Sequence, residues 1–193
     1  MTKKVKTLLA MLPLLIVGIL AGHFLTLGTE AFNEATATAE FCGLCHASIV
    51  ESETFKTSNH RMNRFGVTAE CGECHTREGF YLETWDHVSS GIRSLVLGIA
   101  RGHLTDPKLQ DTIGEEMAHN ARDWFVEVDS APCLRCHNDP NGYPMSGRPG
   151  VAREHEKAKH QGISCIGCHY NLVHEPQPVR PEFKAANTLK DDH

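Results

Sequence analysis

All eight cysteines of this 193-residue chain fall in four copies of one pentapeptide, Cys-x-x-Cys-His. On a helical turn, residues i, i+3 and i+4 project from one face, so each copy presents two thiols and an imidazole to the same side. This is the attachment signature of c-type haem, in which the thiols form thioethers and the histidine binds the iron. The predicted thioether residues are Cys42, Cys45, Cys71, Cys74, Cys133, Cys136, Cys165 and Cys168, and the predicted proximal iron ligands are His46, His75, His137 and His169.

Other uses of paired cysteines explain the pattern less well. Zinc sites contain Cys-x-x-Cys pairs but need no histidine after each pair, and a disulfide framework gives the histidines no role. Since no cysteine is left over, the sequence also argues against a redox Cys-x-x-Cys enzyme and against a cytosolic setting. We therefore predict four covalently bound haem c groups.

The composition restricts the partners and the core. Lys+Arg number 19 and Asp+Glu 24, for a formal net charge of -5, so the basic excess of a nucleic-acid binder is missing. Aromatic residues make up only 7% of the chain, which leaves few large side chains for an ordinary core. We expect the apolar faces of the haems to serve as core instead.

The N-terminal segment predicts a membrane anchor. Three lysines precede an uncharged stretch, Thr7 to Gly28, which is long enough to cross a bilayer as one helix. A cleaved signal peptide is the alternative, but its small-x-small site at residues 35–37 lies well beyond the apolar run. We predict a transmembrane anchor over residues 1–28 of a bacterial inner membrane, with the haem domain in the periplasm. His23 is either interfacial or close to a quinone headgroup.

The sequence shows no strand alternation, so we predict a mainly α-helical protein with short helices around the haems. The first two motifs are 29 residues apart and the last two 32, with 62 residues between the pairs, which indicates two di-haem halves. We assign residues 29–174 to the haem domain and residues 175–193 to a Pro-rich flexible tail.

The insert between the halves has helical periodicity. Its first apolar stripe predicts a helix of about 20 residues that Gly102 ends. A second helix is predicted to start at Asp106-Pro107 and to end at Pro132. The first stripe consists of Tyr81, Trp85, Val88, Ile92, Leu95 and Ile99, and the second of Leu109, Ile113, Met117 and Trp124.

Further short segments match a known pattern: Phe41-Cys42, His60 with Asn63-Arg64 and Gly66-Val67, Asp106-Pro107, Met117-Ala118, Asp129-Ser130, and His155 with Ala158 and Gly162. With the anchor and the four motifs, they resemble the NapC/NirT family of membrane-anchored multihaem cytochromes c, which includes the small subunit of cytochrome c nitrite reductase. The stretches Met117–Arg122 and Asn171–Glu175 are similar to the membrane tetrahaem cytochrome of ammonia oxidisers, within the same family. The resemblance extends from the anchor to His174.

The resemblance implies the distal iron ligands. His60 and His174 match positions that the family uses for haems in the opposite half. His87 stands where the nitrite reductase small subunit has a ligating lysine, and His155 matches a histidine of the NapC branch. The reserve candidates are His103, His119 and His160.

One departure concerns the first motif. Many relatives have a methionine two residues after its histidine, but here Ala47-Ser48 follows His46. The first iron is therefore expected to be five-coordinate, or to be bound by Met62 or a reserve histidine.

The resemblance further implies oxidation of quinol near the first haem and electron transfer to a periplasmic reductase, of the nitrate or nitrite type. Because quinol oxidation releases protons, we expect an acid–base group there; Glu83, Asp86 and His87 are the candidates. A second hypothesis reverses the flow, from a periplasmic oxidation of the hydroxylamine type to quinone. A third is a haem reductase with an open first iron, and a fourth is a tethered electron store without a quinone site. Oligomer formation is left open.

Overall fold

The computed structural model describes residues 3–63, 65–102, 113–137 and 148–190. These residues form helices joined by short loops, and no strand occurs among them, as the sequence predicts. The chain divides into two compact units, residues 1–36 and residues 37–193.

The first unit is a single helix, α1 (Lys3–Thr36). Its segment Ala10–Thr36 contains an 18-residue window with a mean hydropathy of 2.1 and is the one helix among the described residues that is long and apolar enough to cross a membrane. Hydroxyl groups on this helix bond back to its own carbonyl oxygens, as Thr26 does to Gly22 (2.9 Å). The helix continues past Gly28; the position where the bilayer ends along it stays a prediction.

The second unit contains ten short and medium helices in its described part. They are α2 (Ala39–Gly43), α3 (Ala47–Glu51), α4 (Glu53–Thr57), α5 (Cys71–His75), α6 (Phe80–Arg101), α7 (Gly114–Glu127), α8 (Ala131–Leu134), α9 (Pro149–His160), α10 (Cys165–Cys168) and α11 (Pro181–Asn187).

The insert helix α6 confirms the periodicity. It spans 22 residues and ends at Gly102, whose φ of 75° is the left-handed conformation that glycine adopts readily. The second insert helix is confirmed in part: Met117 and Trp124 lie on α7, whereas His103, Asp106-Pro107 and Leu109 lie outside the described residues.

The prediction that Pro132 ends the second insert helix is wrong. Helix α7 ends at Glu127, and Asp129 and Ser130 then take positive φ angles of 50° and 57°. This reversal starts a new helix, α8, in which Pro132 occupies one of the first two positions. Proline is favoured there because the first amides of a helix have no intrahelical acceptor.

The expectation of a flexible tail is also wrong for its described part. Helix α11 buries Phe183, which is 7% exposed, and packs against α10. The chain before α11 is fixed by the buried Arg122, which donates to the carbonyl oxygens of Pro178 (2.7 Å) and Gln177 (3.0 Å). The prolines fit this segment because they restrict an extended chain that leads into a helix beginning with Pro181.

The hydrophobic core supplied by side chains is small. The buried apolar side chains among the described residues are Ala39, Phe55, Ala158, Ile163 and Phe183. So small a core agrees with the expectation that haem faces complete the interior.

Candidate haem sites

Each Cys-x-x-Cys-His motif forms a single helical turn. The histidine amide donates to the carbonyl oxygen of the first cysteine in motifs one, three and four, at 2.9, 3.0 and 2.9 Å. Motif two lies entirely within α5. This turn puts two sulfur atoms and an imidazole on one side of the backbone, as covalent attachment of a haem requires.

The first cysteines of neighbouring motifs meet in pairs. The side chain of Cys71 lies beside that of Cys42, and the side chain of Cys133 lies beside that of Cys165. The pairing joins motif one to motif two and motif three to motif four, which confirms the two halves predicted from the spacing.

Within each half, a side chain that precedes one motif by one to three residues accepts a backbone amide at or just before the other motif. Glu70 precedes motif two, and its Oε2 accepts the amide of Ala39 in α2 (2.9 Å). Ser130 begins α8, and its Oγ accepts the amide of Cys165 (2.9 Å). Neither role was predicted from the sequence. The spacing of Glu70 and Glu73 is that of a capping box and marks the start of α5, where the amide of Glu70 donates to Glu73 Oε2 (2.7 Å).

Three motif histidines each face a second histidine from elsewhere in the chain. The ring centroids are 6.1 Å apart for His75 and His174, and 6.2 Å apart for His60 and His137. His155 and His169 are also 6.2 Å apart. The structure thus brings the predicted ligands His60, His155 and His174 to three different motifs.

These separations fit one iron between each pair of rings. With metal–imidazole bonds of about 2 Å on opposite sides of a metal, the two ring centres lie about 6 Å apart. If the imidazole rings simply packed on one another, nothing would require the same centroid distance of 6.1–6.2 Å in three unrelated pairs. His174 thus lies beside the histidine of motif two, His60 beside that of motif three and His155 beside that of motif four; that they bind the irons stays a prediction.

The protonation of these rings also suits metal binding. Burial lowers the pKa of His75 to about 4, with a further contribution from His174. Burial likewise lowers the pKa of His60, His169 and His174. A neutral imidazole has the nitrogen lone pair that an iron needs.

Phe55 packs on His174, one of the predicted distal histidines. Its ring is 6% exposed and stacks on His174 at 5.9 Å between centroids, with an angle of 11° between the planes. The guanidinium of Arg61 lies over the same ring, 5.0 Å from its centroid. The only sequence signal for this role was an aromatic residue five positions before His60.

The first haem has a different environment. No second imidazole faces His46 among the residues that the structure describes, although His46 is close enough to His75 and His174 to affect their pKa values. His87 is half-buried on α6, and its role as a ligand stays a prediction. Met62 is 66% exposed.

Two reserve histidines have other contacts. His119 Nε2 lies 3.3 Å from Glu115, and its Nδ1 lies 3.2 Å from Arg122. His160 pairs with Glu156 at 3.0 Å, and its side chain is 75% exposed. Neither arrangement supports a role at the first iron.

The two carboxylates proposed for proton transfer differ in their surroundings. Asp86 is buried at 6% exposure and accepts from Arg77 three times, through Nε (2.9 Å), Nη2 (2.7 Å) and the backbone amide (2.9 Å). Burial raises the pKa of Asp86, but these hydrogen bonds outweigh it and leave the pKa below its ordinary value. Glu83 lies one turn earlier on α6 and is partly exposed.

A half-buried arginine in motif three suits a haem propionate. The Nε and Nη2 atoms of Arg135 are buried and have no hydrogen-bond partner among the described residues. Arg135 also lies within electrostatic range of Cys74 in motif two. By contrast, no three His, Cys, Asp or Glu side chains converge as a zinc site requires in the part of the chain that is described.

Comparison with known proteins gives a consistent result. The family described as NapC/NirT cytochrome c family, N-terminal region, matches residues 4–179. A probable tetraheme cytochrome c-type protein of Nitrosomonas europaea is 34% identical over 170 residues, which cover 86% of this chain and 70% of the relative. NapC of Escherichia coli is 29% identical over 179 residues, covering 89% of this chain and 86% of NapC.

Longer relatives also match. TorC of Escherichia coli is 30% identical over 180 residues, which cover 91% of this chain but only 45% of TorC. The chain therefore spans about half the length of such relatives. No solved structure shows a significant match to the chain.

Proposed function

Because the chain belongs to the NapC/NirT cytochrome c family, we propose that it takes electrons from quinol in the inner membrane and passes them to a periplasmic reductase. The protein is a membrane-anchored tetrahaem cytochrome c, and its four covalently bound haem c groups supply one-electron redox chemistry. A reductase acting on nitrate or nitrite is the partner that we propose.

The observation that carries this proposal is the continuous series of attachment sites. Cys42 touches Cys71, Cys74 lies within electrostatic range of Cys136, and Cys133 touches Cys165. Motifs one to four are thus neighbours in their sequence order. Closely spaced redox groups suit electron transfer from one end of such a series to the other.

The distal histidines connect the two halves. His60 comes from the first half and faces the motif-three histidine, whereas His174 follows motif four and faces the motif-two histidine. These crossed pairs hold motifs two and three together, at the step where electrons pass from one half to the other.

The membrane end of the series is motif one. Helix α1 ends at Thr36, and α2, which carries Cys42, begins at Ala39. We place quinol oxidation at this end, with the haem domain in the periplasm. The basic N-terminal flank then stays in the cytoplasm.

Proton release from quinol needs a base at the same end. Arg77 holds Asp86 as a fixed anion, so Glu83 is the better placed of the two to accept a proton. His87, next to Asp86, stays a second candidate.

The test is reduction of the haems by quinol. The full-length holoprotein is incorporated into vesicles with quinol and no reductase, and haem reduction is followed by stopped-flow absorbance. We expect rapid reduction in the native protein and slower reduction in E83Q. The matched control is E51Q, since Glu51 is an exposed carboxylate on α3.

Other outcomes separate the competing functions. Failure of quinol to reduce the haems, with transfer from chemically reduced protein to quinone, would show the reverse direction of flow. Turnover of nitrite or hydroxylamine by the protein alone would favour a reductase with an open first iron. No exchange with quinone in either direction would indicate an electron store.

A further inference from the structure

The apolar stripe of α6 faces away from the protein. With 3.6 residues per turn, seven apolar side chains fall within an arc of about 100°. All seven are exposed, from 43% for Val88 to 84% for Tyr81. They are Tyr81, Trp85, Val88, Ile92, Leu95, Val96 and Ile99.

The contacts of α6 with the haem domain lie outside this arc and are few, because most of the helix after Asp86 is exposed. The buried residues of α6 are Asp86 and Gly98, and Arg77 binds Asp86. The helix therefore shows the reverse of the usual arrangement in a water-soluble domain, where the apolar stripe faces inward. The apolar face runs for about 27 Å, from Tyr81 to Ile99 at 1.5 Å per residue, and so long an exposed apolar surface indicates that another molecule or group covers it.

We propose that the apolar face of α6 lies in the lipid–water interface of the membrane that holds α1. The helix would rest parallel to the bilayer with these side chains among the headgroups and upper acyl chains. The haem domain would then have a second contact with the membrane besides its single spanning helix.

The connection between α6 and the anchor supports lipid as the cover. Ala37 directly follows α1, and its carbonyl oxygen accepts the amide of Gly72 in α5 (2.8 Å). Helix α5 contacts α6, and Arg77 joins the two through its bonds to Asp86. The N-terminal half of α6 is thus fixed to the residue that follows the membrane helix.

The side chains of α6 are also those of an interfacial helix. Tyr81 and Trp85 stand in its first two turns, and these residue types concentrate at membrane interfaces. The apolar arc contains no charged residue, while Arg93 stands beside it and is exposed. A long arginine side chain in that position can reach lipid phosphate.

An introduced cysteine can show whether lipid shields the apolar face of α6, because all eight native cysteines are used in thioethers and do not react. The I92C variant puts a thiol in the apolar arc, and S94C puts one on the opposite side of α6 at almost the same height. Both native residues are exposed, so both variants should keep the haem spectrum and the unfolding midpoint of the native holoprotein.

Each full-length variant is placed in bilayer nanodiscs with one protein per disc and treated with a water-soluble maleimide. We expect I92C to react at least about tenfold more slowly than S94C, because lipid shields the thiol. In discs that contain phosphatidylcholine with a diazirine in its acyl chain, illumination should attach lipid to the peptide of residues 81–99.

Two results would overturn the proposal. Equal maleimide reactivity of I92C and S94C in single-copy discs would show that lipid does not cover the apolar face of α6. If I92C becomes shielded only at high protein density, a second copy of the protein covers that face. Slow reaction of I92C without lipid attachment would show that a haem of the same chain covers it. None of these readouts depends on quinol oxidation, so they separate this proposal from the proposed function.

Discussion

The imidazole of His60 stands edge-on to that of His137, with the ring centroids 6.2 Å apart and the planes at 70°. His174 and His75 form the corresponding pair in the other direction, at 6.1 Å. Each half therefore places a histidine beside a motif histidine of the other half. On our proposal that these histidines bind the irons, neither half has complete iron coordination alone, and we expect the two halves to unfold together.

Removal of His60 should change the spin state of one haem. In H60A, the third iron loses its distal nitrogen, so we expect one of the low-spin ferric centres to become high-spin. Electron paramagnetic resonance of the oxidised holoprotein measures this change. The control is H160A, since His160 is a surface residue. Unchanged spin states in H60A would contradict the assignment of His60 to the third haem.

Arg135 should raise the redox potential of a nearby haem. In R135L, a half-buried positive charge next to motifs two and three is lost, which favours the ferric state. We expect one midpoint potential to fall by on the order of tens of millivolts, since charge and hydrogen bonding around a haem tune it. Spectroelectrochemical titration measures the four midpoints. The control is R93L, which removes an exposed arginine; an equal shift there would rule out a local effect.

The local structure of the chain could be predicted because it depends on neighbouring residues. The 22 residues of α6 and the left-handed Gly102 follow from the apolar spacing and the glycine after it. The turns of the four motifs follow from the geometry of attachment. The tail was misjudged because its prolines indicate an open chain, while the burial of Phe183 depends on packing against α10.

The long-range contacts of the site could not be derived from spacing. Nothing near His60 in the sequence points to His137, and only the family resemblance indicated a ligand for the opposite half. Asp86 was expected to take part in proton transfer, but its pairing with Arg77 depends on how α5 meets α6. Similarly, the stacking of Phe55 on His174 joins residues from opposite ends of the haem domain.

Glu70 should make the stability depend on pH in the acid range. Burial raises its pKa, but the amide of Ala39 and the guanidinium of Arg61 outweigh this, so the folded pKa lies below the ordinary value. Because an unfolded glutamate has a pKa of about 4.3, the stabilisation is complete above that pH and is lost as the pH falls through the folded pKa.

The measurement is the free energy of unfolding of the holoprotein between pH 3 and 7, from urea titrations. We expect E70Q to be less stable at pH 7 and to lose less stability on acidification than the native protein. The control is E51Q, because the pair of Glu51 with Lys56 is exposed and should contribute little. If the free energy of unfolding falls equally in E70Q and in the native protein as the pH decreases from 7 to 3, Glu70 is not the source of the pH dependence.

A side chain at Gly72 should destabilise the protein, because Gly72 in motif two lies against Ala37, the residue that follows the anchor helix. A Cβ atom there would lie 2.5 Å from the Cβ of Ala37, while the amide of Gly72 is held 2.8 Å from the Ala37 carbonyl oxygen. The backbone must shift to admit it, so we expect G72A to lower the free energy of unfolding by about 1–3 kcal/mol. The matched control is G91A on α6, where no atom lies within 4 Å of the added carbon, and the higher helix propensity of alanine should stabilise the protein by up to about 1 kcal/mol. Opposite signs for the two glycine-to-alanine variants in urea unfolding would support the close contact, and equal effects would contradict it.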